Sequence, residues 1–190
     1  SQQQKSSSST NFAAVVLGSP QPQYLRSRLA QALLKMGKNV ARAFAGSLAQ
    51  QSESYLAQLA CSKAGSHVVE AALKSSSIPV SMQCKLAAKL AGSAATLACN
   101  AQGSHVVELC YARADPALKE TIAQELADRE FELASDRHGR FVLQTCNIAL
   151  FKGKKSVWQA RVNSAQNTRE LFRSLLEDHD GISASAPSGA

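Results

Sequence analysis

The sequence predicts an all-α chain built as an α-solenoid, and three observations carry the prediction. Leu, Ala, Gln, Lys and Glu recur through all 190 residues, aromatic residues make up only 5%, and Gly and Pro together number 15, a balance that favours helix over a β-sandwich. A 15-residue motif returns at intervals of 38 and 36 residues, a period at which solenoid units recur. Between its copies lie further helical segments of about a dozen residues, so that each unit is predicted to be a helix pair that buries its apolar face on its neighbours.

Ser1–Thr10 is a run of Gln and Ser with little to bury, and residues 1–23 are expected to be low-complexity and disordered. The motif itself is clearest in Leu59-Ala-Cys-Ser-Lys-Ala-Gly-Ser-His-Val-Val-Glu-Ala-Ala-Leu73 and Leu97-Ala-Cys-Asn-Ala-Gln-Gly-Ser-His-Val-Val-Glu-Leu-Cys-Tyr111. A third copy, Leu133 to Asn147, keeps Leu-Ala, the Gly and the aliphatic pair. A fainter copy at Arg26–Leu34 lacks the Gly. The intervening segments are predicted at Val40–Ala49, Pro79–Ala91 and Pro116–Asp128, the last two opening on Pro as a first helical turn can. About four units are therefore expected over 24–150, as the end of a longer array. Residues 151–180 are predicted to form a basic helical cap over the last unit, with Trp158, Leu171 and Phe172 burying it, and 181–190 a disordered tail.

Composition and charge narrow the function. Five cysteines are an odd number for a disulfide framework and sit in apolar helical sequence, which predicts reduced thiols in a nuclear or cytosolic setting. No run approaches 18 apolar residues, so no membrane-spanning helix and no membrane partner are expected. The net charge of +7 is uneven: residues 1–50 hold six Lys or Arg and no acid, residues 51–150 nine against ten, and residues 151–190 six against four. Basic ends around a near-neutral middle point to an anionic partner, nucleic acid above all.

On a helical wheel at about 100° per residue, Ser66, His67 and Glu70 share one arc, and Val68, Val69 and Ala72 take the other. The same division holds for Ser104, His105 and Glu108, and for Arg140, Phe141 and Gln144. Stacked units would align these triplets in a row. Gly65, Gly103 and Gly139 precede them, where a missing Cβ permits a tight helix entry or a close backbone approach.

A zinc reading of Cys61 with His67 and Cys99 with His105 fails on spacing, and the third copy replaces the pair with Ser135 and Phe141. Ser66 beside His67 does not make a nucleophile and base, because adjacent helical residues do not face each other. Neither a cofactor nor catalysis is expected. A helical scaffold that binds protein is the rival reading.

The pattern of Gly, short polar residue, ring or Arg, two aliphatics, then Gln or Glu resembles the second helix of the repeats of the Pumilio (PUF) family, over roughly Tyr24 to Asn147. The resemblance implies an α-solenoid of Pumilio/armadillo-like helical repeats whose second helices line the concave surface and bind RNA. In that family the first and fifth residues of the pattern contact one base edge and the second stacks between bases. It implies guanine reading by Ser66 with Glu70 and by Ser104 with Glu108, since a carboxylate accepts from both N1 and N2 of guanine, with His67 and His105 stacking. Arg140 with Gln144, stacked by Phe141, looks like an adenine reader, as do Ser27 and Gln31 with Arg28.

The end of the chain, Asn147-Ile-Ala-Leu-Phe-Lys-Gly-Lys-Lys-Ser-Val-Trp158 followed by Arg169-Glu-Leu-Phe172, resembles the nucleolar protein nine branch of PUF-like proteins. That branch implies a nucleolar factor bound to precursor ribosomal RNA in small-subunit biogenesis, with pre-ribosomal assembly proteins as further partners. A cytoplasmic PUF-type regulator of messenger RNA is the alternative. Lys152, Lys154, Lys155, Arg161, Arg169 and Arg173 against Glu170 give 151–173 a charge of +5, suited to phosphate contacts by Lys152, Lys154 and Lys155.

Overall fold

The computed structural model describes residues 11–182, the side chains of 169, 173 and 176–182 excepted, and every regular element among the described residues is a helix. Of these, residues 11–148 pack as one compact unit and residues 149–182 as a second.

The repeating unit holds three helices, not the expected pair. Its first copy is α1 (Phe12–Leu17), α2 (Tyr24–Lys35) and α3 (Lys38–Ala49), its second α4 (Glu53–Cys61), α5 (Gly65–Lys74) and α6 (Val80–Ala91). The third is α7 (Ala94–Ala98), α8 (Gly103–Arg113) and α9 (Pro116–Asp128), and α10 (Glu130–Ser135) and α11 (Gly139–Thr145) open the fourth. What splits the motif into two helices is a side chain that competes with the backbone. Ser62 Oγ accepts from the Gly65 N–H at 3.0 Å, Asn100 Oδ1 from the Gly103 N–H at 2.9 Å, and Asp136 Oδ1 from the Gly139 N–H at 2.7 Å. Each acceptor satisfies a donor at the start of the next helix and turns the chain. The glycines are then obligatory for close approach: a Cβ on Gly65, Gly103 or Gly139 would lie 2.5, 2.6 or 2.7 Å from the carbonyl oxygen of Leu59, Leu97 or Leu133.

The first unit also corrects the expectation that residues 1–23 are disordered. Residues 1–10 lie outside the described residues, but α1 is a packed helix. Asn11 caps it through the Ala14 N–H, and Ser47 Oγ of α3 accepts from the Ala13 N–H at 2.8 Å and donates to Asn11 Oδ1 at 2.6 Å. Phe12 packs edge-on against Phe44, with ring centroids 5.6 Å apart, and Ala13 and Leu17 are buried. At the other end of α1, Arg26 Nη1 donates to the carbonyls of Val15 and Val16. The local composition could not reveal this, because the partners of Asn11 and Phe12 lie more than 30 residues away.

Stacking is layered. α2, α5, α8 and α11 lie side by side in one layer and α3, α6 and α9 in the other, with α1, α4, α7 and α10 bridging. Leu34, Phe44, Leu48, Leu59, Leu73, Leu86, Leu97 and Leu126 fill the space between them, each at most 2% exposed; full burial of such a side chain stabilises by roughly 1.5–3 kcal/mol. Pro116 stands in the first turn of α9, where Asp115 caps the Leu118 N–H, whereas Pro79 is the residue before α6.

In the second compact unit, α12 (Ile148–Gly153) is followed by α13 (Lys155–Ile182). Trp158 is buried, its ring edge-on to Phe151 at 4.9 Å, and Val162, four residues further along α13, is buried as well. Leu171 and Phe172, expected to be buried in the cap, are 60% and 63% exposed. Helix length explains it: Phe172 lies about 21 Å along α13 from Trp158, and α12 is only about 9 Å long. Helix α13 runs on through 181 and 182, and the rest of the expected tail, 183–190, lies outside the described residues.

Candidate nucleic-acid interface

The layer of α2, α5, α8 and α11 presents the second and fifth residues of the motif. Arg28, His67, His105 and Phe141 are all exposed, one from each helix, and Gln31, Glu70 and Glu108 are half-buried beside them, with Gln144 exposed. On α5 the open arc also includes Lys74, and it is centred on His67, Glu70 and Lys74 rather than on Ser66.

The first residue of the motif behaves differently from the wheel. Ser27, Ser66 and Ser104 are buried, at 1%, 0% and 5% exposure, while Arg140 alone of the four is exposed. Ser66 Oγ donates to the Lys63 carbonyl at 3.4 Å and Ser104 Oγ to the Ala101 carbonyl at 3.3 Å, both in the preceding turn. Ser27 Oγ donates at 2.6 Å to the carbonyl of Ala64 in the next unit and accepts from Gln31 Nε2. Position is the cause for Ser66 and Ser104, which sit in the first helical turn where the folded-back chain supplies carbonyls that take up the hydroxyl, whereas Ser27 is covered by the neighbouring unit.

The two carboxylates sit in different company. Glu70 Oε2 accepts from Lys74 Nζ at 2.9 Å, one helical turn on, and His67 Nδ1 lies 3.9 Å from its other oxygen. Glu108 Oε1 accepts from Thr145 Oγ1 of the fourth unit at 3.1 Å, with His105 Nδ1 3.9 Å from Oε2. Beside Glu70, a groove of about 490 Å³ runs between α2 and α5, lined among others by Gln31, Lys35, His67, Glu70, Lys74 and Ser76.

Sequence reasoning missed Lys74, Thr145 and the turn acceptors Ser62, Asn100 and Asp136. The acceptors had a readable signal, a Ser, Asn or Asp three residues before the Gly in every copy that has one. Lys74 also had one, since it stands four residues after Glu70 as Lys35 stands four after Gln31. Thr145 had none, because it meets Glu108 across 37 residues of sequence. The Asp136 carboxyl is held below its ordinary range by the Gly139 N–H, helped by the His138 N–H.

The Ser66 hydroxyl points to a carbonyl rather than to His67. Burial raises the Cys61 and Cys99 thiols above their usual pKa, opposite to what a metal-binding thiolate needs. Among the described residues no group of three or more His, Cys, Asp or Glu side chains is placed to hold a metal ion, and no helix is long and apolar enough to cross a membrane.

In the second compact unit, on α12 and α13 and the residue between them, Lys152, Lys154, Lys155 and Arg161 are exposed, and Lys155 Nζ lies 5.2 Å from the centre of the Phe151 ring. The side chains of Arg169 and Arg173 lie outside the described residues.

Comparison with known proteins agrees with this architecture. The family model of the NOP9-like PUF repeat domain matches residues 1–141. Nucleolar protein 9 of Homo sapiens is 30% identical over 123 residues, which cover 65% of this chain and 19% of that protein. Pumilio homolog 23 of Arabidopsis thaliana is 27% identical over 146 residues, covering 77% of this chain and 19% of its own. The chain spans about a fifth of the length of these curated relatives. Among solved structures, APUM23-GGAAUUGACGG and APUM23-GGAUUUGACGG superpose with TM-scores of 0.69 and 0.70 at 25% identity, over 73% and 75% of this chain and 26% of each of theirs.

Proposed function

The chain belongs to the NOP9-like PUF repeat family, a family of RNA-binding repeats, and on that premise we propose that its α2, α5, α8 and α11 layer binds single-stranded RNA base by base. The observation that carries the reading is the row of Arg28, His67, His105 and Phe141, one exposed planar group per unit, each beside a Gln or Glu that presents hydrogen-bonding atoms. Planar side chains at the unit spacing suit intercalation between unstacked bases. Glu70 and Glu108 accept from guanine N1 and N2, while Gln31 and Gln144, which can both donate and accept, serve adenine. Ser66, Ser104 and Ser27 contribute as small first residues that let a base approach the helix, and Arg140 adds a donor in the fourth unit. Lys152, Lys154 and Lys155 supply phosphate contacts.

The RNA is precursor ribosomal RNA and the compartment the nucleolus, where assembly proteins of the small subunit are further partners. Support for this finer reading is the family match and the likeness to nucleolar protein 9, together with the basic ends of the chain.

Titration of the chain with the RNA GGAAUUGACGG against a polypyrimidine strand of equal length tests base reading. Preferential binding of the guanine-containing strand is expected, and Glu70→Gln or Glu108→Gln lowers it by roughly 1–3 kcal/mol per base. Equal losses on both strands would show that the carboxylates do not read bases, and no binding to either would favour a protein-binding scaffold. Crosslinking in cells and sequencing of the bound RNA tests the target: enrichment of 3′ untranslated regions without precursor ribosomal RNA would favour a cytoplasmic regulator.

A further inference from the structure

We propose that the groove between α2 and α5 seats an RNA phosphate between Lys35 and Lys74, a site that rests on the base-reading role of this layer and adds a contact to it. Three observations converge on the groove. Lys35 and Lys74 stand at the same register, four residues after Gln31 and Glu70, so each ammonium projects one helical turn beyond a base-reading side chain. Both line a single groove of about 490 Å³, together with Ser76 and Ser77 of the loop that follows α5. The corresponding positions in the third and fourth units are Ala112 and Ile148, so the array carries cations at this register in its first half only.

The Lys74–Glu70 pair explains how the site works. Lys74 Nζ lies 2.9 Å from Glu70 Oε2, and its side chain is 57% exposed on a flexible four-carbon stem. An exposed pair of this kind is weak. When a guanine edge brings two N–H donors to the carboxylate, the ammonium is displaced toward solvent, where the phosphate of the same strand is the nearest new counter-charge. The carboxylate exchanges a lysine for a base, and the lysine exchanges a carboxylate for a phosphate. Lys35, exposed on the facing helix, meets the same phosphate from the other wall. At Glu108 no such exchange takes place, because Thr145 holds the carboxylate through a neutral hydroxyl.

The test is the salt dependence of binding of the full chain to fluorescent GGAAUUGACGG, comparing wild type with Lys35→Met, Lys74→Met and the double variant, and with Lys85→Met on α6 as a control in the other layer. Each phosphate contact on a single strand contributes a slope of about −0.7 in log K against log salt. The double variant is expected to be shallower by roughly 0.7 with helical content unchanged by circular dichroism, the Lys85 variant to match wild type, and Ala112→Lys to steepen the slope. An unchanged slope in the double variant with binding retained overturns the phosphate seat and leaves base reading intact. A slope lowered equally by Lys85→Met overturns it in favour of diffuse charge. Wild type that binds the strand at no salt concentration overturns base reading, and the seat with it.

Discussion

Helices α5 and α8 enter through a side-chain-capped turn and a glycine, whereas α2 enters from Pro20-Gln21-Pro22-Gln23, where Gln23 makes no side-chain cap. All three nevertheless bury the serine of the motif and expose the residue after it. They part at the third position: Val68 and Val106 are fully buried, and Leu29 is 52% exposed. Helices α5 and α8 have a partner on either side within their layer, and α2 has α5 on one side only among the described residues. The register of the motif thus comes from stacking on the next unit, and the turn chemistry sharpens an entry that stacking has already positioned.

The difference between the two kinds of helix entry should be greatest in the core. Leu97→Ala is expected to cost about 2–5 kcal/mol, because Leu97 is fully buried where α7 meets α8; Leu29→Ala should cost less than about 0.5 kcal/mol, as surface substitutions do. Urea denaturation followed by circular dichroism measures both. A Leu29 cost near that of Leu97 would mean that the exposed face of α2 is covered in solution.

Next comes the glycine. Gly103→Ala places a Cβ 2.6 Å from the Leu97 carbonyl oxygen and should destabilise by about 1–3 kcal/mol, the usual cost of overpacking. A methyl group added at Gly37, before α3, would meet nothing within 4 Å, and Gly37→Ala should stay within about 0.5 kcal/mol. The turn acceptors are smaller. Asn100→Ala removes the acceptor of the Gln102 and Gly103 N–H groups and is expected to cost about 0.5–2 kcal/mol, as loss of a helix cap does, whereas Gln23→Ala, at the uncapped entry of α2, should change the urea midpoint little.

The smallest effect is a pH dependence. The Asp136 carboxyl is depressed by the Gly139 N–H and then the His138 N–H, so its contribution is whole above the unfolded value of about 4 and is lost as the pH falls through the lowered folded value. Thermal midpoints measured from pH 5 down to pH 2 should therefore fall less steeply in Asp136→Asn than in wild type. Identical acid limbs would show that these hydrogen bonds do not hold the carboxylate.

Much of the fold was legible because the solenoid writes its period into the chain. The Gly-Ser-His-Val-Val-Glu pair located α5 and α8, and the wheel placed His67, Glu70, His105, Glu108, Phe141 and Gln144 on an accessible layer. The split of each motif into two helices escaped, although the Ser, Asn or Asp three residues before each Gly carried the signal. Helix α1 escaped for a different reason: a six-residue helix shows too little periodicity, and what holds it is Ser47 and Phe44 of α3.

That this chain is helical, that it repeats, and which positions alternate between core and surface could all be read from the residues, since these depend on spacing along one helix. The fate of the polar residues at the margin of that wheel depended instead on the units packed beside them. Ser27 is closed over by the Ala64 carbonyl of the next unit, Glu108 is held by Thr145 of the unit beyond it, and Glu70 is paired with Lys74 over a groove that α2 walls. A wheel describes one helix in isolation, and a polar side chain at its edge is buried, oriented or left open according to which donor, acceptor or helix the neighbouring unit brings within hydrogen-bonding distance.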